Sequence, residues 1–498
     1  MPAVPAAHAL RVDPTPRFEI SPGIYMQFME PLGVADGSIN AAWDYKRGDW
    51  REDLVALTRE LAPPVIRWPG GCLASYYRWR EGVGPRGRRP LMHNLLWGSV
   101  ETNHVGTHEY ADFCRRVGAE SLVCVNFESD GRQHWARPEV QPLVGANRLR
   151  SAGPAEAAAW VDYCNNPVNR ERRRNGERRP FDIRLWQIGN ETSYNRKGYD
   201  VETAARRTRV FAKAMRRADP SIKLIGWGDS GWARRMLEVN GDLLDYVAFH
   251  FGLRPRWKRT PLKFSDWRRD PALTWKHLMT GWEGLDRKIR TVRREVRGFD
   301  ARFAITEAHW SLPGLQRCDV QATWAAGVSL GRVLNVFERH GDVVRIATAA
   351  DYCGTQWMNN AVLLNPRACF MMPVARVMQL YRHHVGEHAV ALGAVPPDLD
   401  VTASRRADTI YLHVTNTSPT RPARASLAVE GMKTLSGKAW EIAVDPWLEV
   451  NVETHEALKP VERRIPRSME WTFPAASVTA VQLECRDAGE ARRSPRRP

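Results

Sequence analysis

The sequence predicts an α/β protein, a (β/α)8 TIM barrel followed by a C-terminal antiparallel β-sandwich domain, and three observations carry that reading. Short apolar runs alternate with amphipathic stretches across residues 19–388. Beyond about residue 389 the apolar residues recur at every second position. Two of the apolar runs stop abruptly at a carboxylate, Glu191 and Glu307, which is where a barrel strand delivers side chains to the mouth of the barrel.

Taken in order, the strand-like runs are residues 23–29, 65–69, 122–127, 183–190, 223–227, 246–250, 302–307 and 344–350. Each is short, apolar and bounded by polar residues, as buried parallel strands are. Between them lie helix-period segments at 50–61, 108–117, 201–218, 282–297 and 320–340, with a further helix expected at 370–384. Strand followed by helix, eight times over, is the barrel pattern. The change to period two is clear in Ile410, Leu412, Val414, in Trp440, Ile442, Val444 and in Val481, Leu483, Cys485. The expected organisation is therefore an N-terminal segment 1–18 joining the sandwich, a catalytic barrel 19–388, a sandwich 389–485 and a disordered tail 486–498, where charge and proline leave little to bury.

Composition excludes several classes. With 498 residues, 43% hydrophobic residues and 20 Trp, the chain can bury a large core and a second domain. It has no run approaching the roughly 20 apolar residues of a membrane span, and its first ten residues lack the pattern of a signal peptide. A cytoplasmic protein that does not engage a membrane is expected. The eight cysteines contain no CxxC pair, so reduced thiols are expected in place of a zinc ribbon or redox motif. The formal charge of +17 would suit nucleic acid. Arginine is nevertheless spread along the whole chain, and the cluster Arg170, Arg172, Arg173, Arg174 is interrupted by Glu171, which reads as a solvated mixed-charge face. No nucleic-acid partner is expected.

Two motif matches fail on their context. Residues 82–87 spell GxGxxG, but Pro85 lies inside the loop and Arg88-Arg89-Pro90 follows where a helix should begin. His384 to His388 spell HxxEH, but Gly386 interrupts the helix needed to bring both histidines to one face. Neither a dinucleotide nor a metal is expected, and no cofactor is.

Paired carboxylates at strand ends are what hydrolysis of a sugar acetal needs. One protonates the departing oxygen; the other attacks the anomeric carbon or activates water, according to how far apart they are held. On that reading the chain is a glycosidase.

More specific is the stretch Ile66-Arg67-Trp68-Pro69-Gly70-Gly71-Cys72-Leu73-Ala74-Ser75-Tyr76-Tyr77-Arg78-Trp79 with the following Gly82-Val83-Gly84-Pro85-Arg86. It resembles the signature of glycoside hydrolase family 51, the α-L-arabinofuranosidases of clan A. The resemblance continues through Gln27 to Gly33, Asn103 to Glu109, Ala159 to Asn165, Gly189-Asn190-Glu191 and Phe473 to Thr479. It implies a retaining exo-acting enzyme that releases non-reducing terminal furanosyl residues, with Glu191 as acid/base and Glu307 as nucleophile. It further implies that Asn190 binds the sugar 2-hydroxyl and that Glu30, Cys72 and Gln356 line the sugar subsite; Arg67, His250 and His309 are further candidate substrate-binding residues beside them. Arg67 would position Glu307 and keep it ionised. A glycoside or oligosaccharide is the implied partner, and homo-oligomers are common in the family.

The chain departs from the family pattern on the nucleophile side. Glu307 is followed by Ala308-His309-Trp310, strand six reads His250-Phe251-Gly252 where a tyrosine is usual, and Pro31 follows Glu30. Loss of a tryptophan and a tyrosine predicts a pocket widened around Phe251, Gly252, Ala308 and His309. The expected substrate is an α-L-arabinofuranoside, with galactofuranoside, D-arabinofuranoside and β-xyloside or β-glucoside as alternatives on the same fold and mechanism, and a non-catalytic carbohydrate binder as the alternative class. The basic aromatic stretch 254–269 is a candidate holder of an anionic glycan.

Overall fold

A computed structural model describes residues 8–94, 97–128, 150–194, 199–253, 266–310 and 319–487. Eight parallel strands form one curled sheet: β1 (Gln27–Phe28), β2 (Val65–Trp68), β3 (Glu120–Val125), β4 (Leu185–Ile188), β5 (Lys223–Trp227), β6 (Tyr246–Leu253), β7 (Phe303–Trp310) and β8 (Val344–Ala347). The two ends of the sheet meet where the Met26 amide donates to the Ala347 carbonyl at 2.9 Å. Helices cross over between successive strands, among them Glu52–Leu61, Thr107–Val117, Pro154–Asn165, Val201–Ala218 and Trp324–Arg339. Val201–Ala218 shows why such segments fold as they do. Asp200 caps its first turn by accepting from the Thr203 amide, and Ala204, Thr208, Phe211 and Met215 form the face turned to the barrel.

The bore of the barrel is built in layers. Met26, Val65, Leu122, Leu185, Ile225, Ala248, Ala304 and Ile346 form one apolar plug, with a contribution from each strand or its immediate flank. Burying each larger side chain there contributes about 1.5 to 3 kcal/mol. Side chains alternate along a strand, so the next inward layer lies two residues on. It contains Phe28, Arg67, Cys124, Gln187, Trp227, His250, Thr306 and Thr348, a largely polar floor resting on an apolar base.

Several elements differ from expectation. The run 344–350 ends as a strand at Ala347, and Asp351–Gly354 opens a separate three-stranded sheet with Asn360–Leu364 and Cys369–Met371. That pairing takes the residues expected to start a helix at 370, so the helix is Pro373–His383, with proline in its first turn, where the missing N–H costs nothing. Strand β7 runs past Glu307 to Trp310. The GxGxxG stretch forms 3-10 turns at Trp79–Gly82 and Arg86–Arg88, and Arg86 and Arg89 converge on Glu109 at 3.0 and 2.9 Å. His384 closes the helix Pro373–His383, its Nδ1 2.7 Å from the Leu380 carbonyl, while His388 begins a strand.

The C-terminal domain is a nine-stranded sheet, antiparallel except where His8–Glu19 runs parallel to Ala423–Val429. Its strands enclose one core that includes Leu10, Val401, Leu412, Leu427, Phe473 and Val481. His8–Glu19 lies inside this sheet, between His388–Leu392 and Ala423–Val429. Trp324–Arg339 fastens the sheet to the barrel: buried Glu338 accepts from Tyr25 Oη at 2.6 Å and lies 2.7 Å from His413 Nδ1. The expected tail starts two residues too early, since Arg486 and Asp487 still pair with Lys433 and Met432 in the last strand, and the rest of it lies outside the described residues.

Candidate active site

Glu307 reaches the bore through a strand irregularity. β6 and β7 pair Phe249 with Ile305 and then His250 with Glu307, so Thr306 is skipped. A bulge of this kind re-aims the side chain that follows it. Thr306 Oγ1 stays in the bore, 2.9 Å from His250 Nε2, and Glu307 projects above it. Glu191 lies beyond the end of β4 with φ 49, a left-handed conformation, after Gly189 at φ 76. A Cβ on Gly189 would meet Phe127 Cβ at 2.9 Å, so only glycine allows this exit from the strand.

His250 joins the two carboxylates. Its Nδ1 is 3.0 Å from Glu191 Oε1 and 3.5 Å from Glu307 Oε2. Burial, aided by the Arg67 and Lys288 charges, pushes the imidazole down to about 4 in spite of the nearby carboxylates, so it is neutral near pH 7. A neutral ring that accepts the Thr306 hydroxyl at Nε2 keeps its proton on Nδ1, facing the carboxylates. The ring is held edge to face on Trp227 at 4.6 Å.

Arg67 is fully buried and every part of its fork is used. Nε donates to Gln187 Oε1 at 2.9 Å, Nη2 to Asn190 Oδ1 at 2.6 Å and Nη1 to Glu307 Oε1 at 3.1 Å. Its guanidinium also lies over the Phe28 ring, 4.9 Å from the centroid. The bond to Asn190 orients that amide so that Nδ2, buried and without a hydrogen-bond partner among the described residues, remains as a donor. The positioning of Glu307 expected of Arg67 is therefore present in the geometry. Its expected electrostatic pull is present too, but burial outweighs it. Burial, joined by the Glu191 charge, raises the Glu307 pKa above the ordinary carboxylate value, and Arg67 and His250 only moderate the rise.

Glu30 follows β1 and fills the space left by two glycines. A Cβ on Gly71 would stand 2.2 Å from Glu30 Oε2. Glu30 Oε1 accepts from the Leu73 amide at 2.8 Å and from Trp97 Nε1 at 3.1 Å, while burial and the Glu307 charge push the carboxyl up to about 8. Cys72 Sγ lies 3.7 Å from Glu191 Oε2. The structure thus brings together Glu30, Arg67, Cys72, Asn190, Glu191, His250 and Glu307.

Gln356 does not join that set. Its side chain is exposed at the rim, 3.4 Å from the Val34 carbonyl, and its amide is held by Asp36 Oδ1 at 2.6 Å. The expected widening of the pocket also needs correction at two of its four residues. Ala308 is buried in the outer core, and Phe251 packs against it from the same side of the sheet, where a Cβ on Gly284 would touch the Phe251 ring at 2.8 Å. The alternation leaves Gly252 and His309, which pair across β6 and β7, on the bore side.

Motif reading missed four residues. Asp229, two positions beyond inward Trp227, accepts from Tyr194 Oη at 2.8 Å and from the His250 amide at 3.2 Å, and pairs with Lys288. Burial works to raise its pKa, but Lys288 and the hydrogen bonds outweigh that and hold it below the ordinary value. Gln187 and Thr306 brace Arg67 and His250. Asp351 stands beside Glu30, Glu307 and His309. Counting inward positions two at a time along each strand would have found Gln187, Thr306 and Asp229. Of the basic stretch 254–269, residues 254–265 lie outside the described residues; Trp267 stacks on Trp447, and Arg268 pairs with Glu449 at 2.7 Å.

One donor atom each from Glu191, His250 and Glu307 lie within 4.8 Å of one another, close enough for a single cation to span. The Arg67 guanidinium already places a positive charge against this group. Among the described residues no helix is long and apolar enough to cross a membrane.

Two sequence-family profiles match the chain: an alpha-L-arabinofuranosidase 1 domain over residues 57–269 and an alpha-L-arabinofuranosidase C-terminal domain over residues 309–477. The chain is 32% identical over 249 residues to an intracellular exo-alpha-(1->5)-L-arabinofuranosidase of Acetivibrio thermocellus, a match covering 47% of this chain and 45% of that protein. The match thus spans less than half the length of that curated relative. Among solved structures, the chain is similar to an alpha-L-arabinofuranosidase of Thermotoga maritima in complex with arabinose, with a TM-score of 0.78 at 22% identity covering 96% of this chain and all of that one. It is equally similar in fold to a GH51 arabinofuranosidase of Xanthomonas axonopodis pv. citri, with a TM-score of 0.79 at 24% identity over 95% of this chain and 99% of that one. With alpha-L-arabinofuranosidase profiles matched over residues 57–269 and 309–477, the chain is an arabinofuranosidase-like protein, and its barrel with a C-terminal sheet is the fold of the solved GH51 arabinofuranosidases it resembles.

Proposed function

We propose that the chain is a retaining exo-glycosidase that releases terminal α-L-arabinofuranose by double displacement. The observation that carries this is the closeness of the two carboxylates: oxygens of Glu191 and Glu307 lie within 4.8 Å of each other, with His250 Nδ1 between them. A retaining pair stands about 5 to 5.5 Å apart, whereas an inverting pair needs about 6.5 Å or more to admit water.

In this reading Glu307 attacks the anomeric carbon while Glu191 protonates the departing oxygen and then activates water. Arg67 holds Glu307 at the attacking angle and stabilises the carboxylate when it leaves again. The His250 Nδ1 proton is shared between the two carboxylates as their charges exchange. Asn190 Nδ2 offers a donor to a ring hydroxyl, and Glu30, held protonated by its surroundings, offers another. Four carboxyl groups facing one pocket disfavour a uronate at this position, so the released sugar is neutral. The proposal includes a cytoplasmic setting, supported by two relatives named intracellular, and self-assembly and a metal-free reaction, as the resemblance implies.

The test is proton NMR of the first-formed product from an aryl α-L-arabinofuranoside. Retained anomeric configuration is expected. Inverted product would make Glu307 a base and overturn the double displacement.

A further inference from the structure

Asp351 follows β8, and β8 neighbours β1, so Asp351 and Glu30 stand on adjacent staves of the barrel mouth. Asp351 is buried, and its charge helps to raise the pKa of both Glu30 and Glu307, which places it among the reacting groups. One of its oxygens is structural, since Oδ2 accepts from Asn359 Nδ2 at 2.8 Å. The other, Oδ1, faces His309 Nδ1 at 3.9 Å. His309 is on the bore side of β7, two residues beyond Glu307 and opposite Gly252, which has no side chain to cover it.

A separation of 3.9 Å is too long for a direct hydrogen bond. It is the spacing of two groups that share a third. A hydroxyl oxygen lying beside the line between them reaches both at normal distances, donating to Asp351 Oδ1 and accepting from, or donating to, His309 Nδ1.

We infer that Asp351 and His309 together bind one hydroxyl of the furanose, on the side of the ring away from Asn190, and that this pair fills the role the resemblance gave to Gln356. The inference rests on the proposed glycosidase reading and deepens it by naming what the β7–β8 wall recognises. Asn190 is directed by Arg67 from β2, across the bore, so the hydroxyl taken by Asp351 is the 3- or the 5-hydroxyl. A site that bonds a substrate hydroxyl rejects the analogue lacking it far more strongly than an apolar pocket rejects a missing methylene. The wall therefore requires a hydroxyl at that position.

The experiment is a cycle between variants and substrates. Asp351→Asn and His309→Ala are compared with the unaltered enzyme on an aryl α-L-arabinofuranoside and on its 2-, 3- and 5-deoxy analogues. Asn at 351 keeps a carbonyl oxygen for Asn359 Nδ2, so the loop it supports is retained, and His309→Ala tests the same contact without touching that loop. On the parent substrate each variant should lower kcat/KM by about 10- to 100-fold, the range for a hydrogen bond involving a charged or strongly polar group. On either the 3-deoxy or the 5-deoxy analogue, and the same one for both variants, that loss should shrink to less than about threefold, because the partner hydroxyl is already gone. An equal loss on every substrate, no loss at all, or coupling confined to the 2-deoxy analogue would overturn the assignment. If the enzyme prefers another glycoside, the cycle is run on that sugar's deoxy series. Failure to hydrolyse any glycoside would overturn the glycosidase reading as well, whereas turnover without coupling overturns only the role of Asp351 and His309.

Discussion

On the β2–β4 side of the pocket, Arg67, Gln187 and Asn190 are locked to one another and to Glu307 by bonds of 2.6 to 3.1 Å. On the β7–β8 side, His309 and Asp351 stand 3.9 Å apart with a glycine opposite. The first wall is bonded to itself except at Asn190 Nδ2, and in the second the two groups stand close enough for one hydroxyl beside them to reach both. The reaction needs groups that do not move while charge develops, which favours a fully satisfied network. Recognition of a particular sugar needs polar groups spaced so that one hydroxyl of the ligand reaches both. Rigid chemistry and adjustable selection are thus separated by the axis of one barrel.

The largest effect should come from breaking the chemistry where the two walls meet. Glu307→Ala removes the proposed nucleophile and should lower kcat by at least about ten-thousandfold on every aryl furanoside, whatever the leaving group. Loss that varies with leaving group would show that Glu307 is not the attacking residue. Glu191→Ala should depend on the leaving group. Natural linkages should slow by about a hundredfold to ten-thousandfold, and aryl groups that depart without a proton much less. Added azide, small enough for the vacated space, should restore turnover, and no rescue together with equal losses would count against an acid/base role.

Arg67→Gln sharpens the contrast by loosening only the locked wall. We expect kcat/KM to fall by about a hundredfold to a thousandfold, as when one preorganised donor is removed from a developing charge. The pH profile should change as well. Glu307 must be ionised to attack, so kcat/KM falls as pH drops through its pKa, which burial and Glu191 already hold above the ordinary value. Arg67 pulls that pKa down, so its loss should move the acid limb to higher pH. An acid limb that stays in place would mean that Arg67 acts through packing alone.

The same division explains what could be read from the sequence. The barrel was legible because each strand is a short apolar run with a helix after it, and the β2–β4 wall because Arg67, Asn190 and Glu191 lie in contiguous, distinctive stretches. Gln356 was misleading because a motif match carries no depth: the chain turns aside after Ala347, Asp36 gathers the amides of 355–357 at the rim, and Asp351 is left facing the bore. Phe251 and Ala308 were placed in the pocket because they stand in the two stretches where the family pattern has its tyrosine and tryptophan, although alternation along β6 and β7 turns adjacent residues to opposite faces. The skipped residue at Thr306 leaves no mark in composition or period, so neither the His250–Thr306 bond nor the aim of Glu307 was available before the strands were paired.

The smallest effects come from that alternation, and they separate the inward from the outward half of the second wall. Gly252→Ala adds one methyl group opposite His309, inside the bore. A group of that size in a substrate pocket is worth about 1 to 3 kcal/mol, so the ratio of kcat/KM for aryl arabinofuranoside over aryl galactofuranoside should rise by about tenfold or more as the bulkier sugar is excluded. Phe251→Tyr puts a tyrosine next to the inward position, but on this backbone the ring points at Gly284 in the outer helix layer. Its hydroxyl would meet packed surface there, at a cost to stability of about 1 to 3 kcal/mol seen as a lower Tm. The sugar ratio should move by less than about threefold, within the range of changes remote from a site. If Phe251→Tyr instead alters the sugar ratio and Gly252→Ala does not, the faces of β6 are reversed and the gap between His309 and Asp351 is not where the sugar is read.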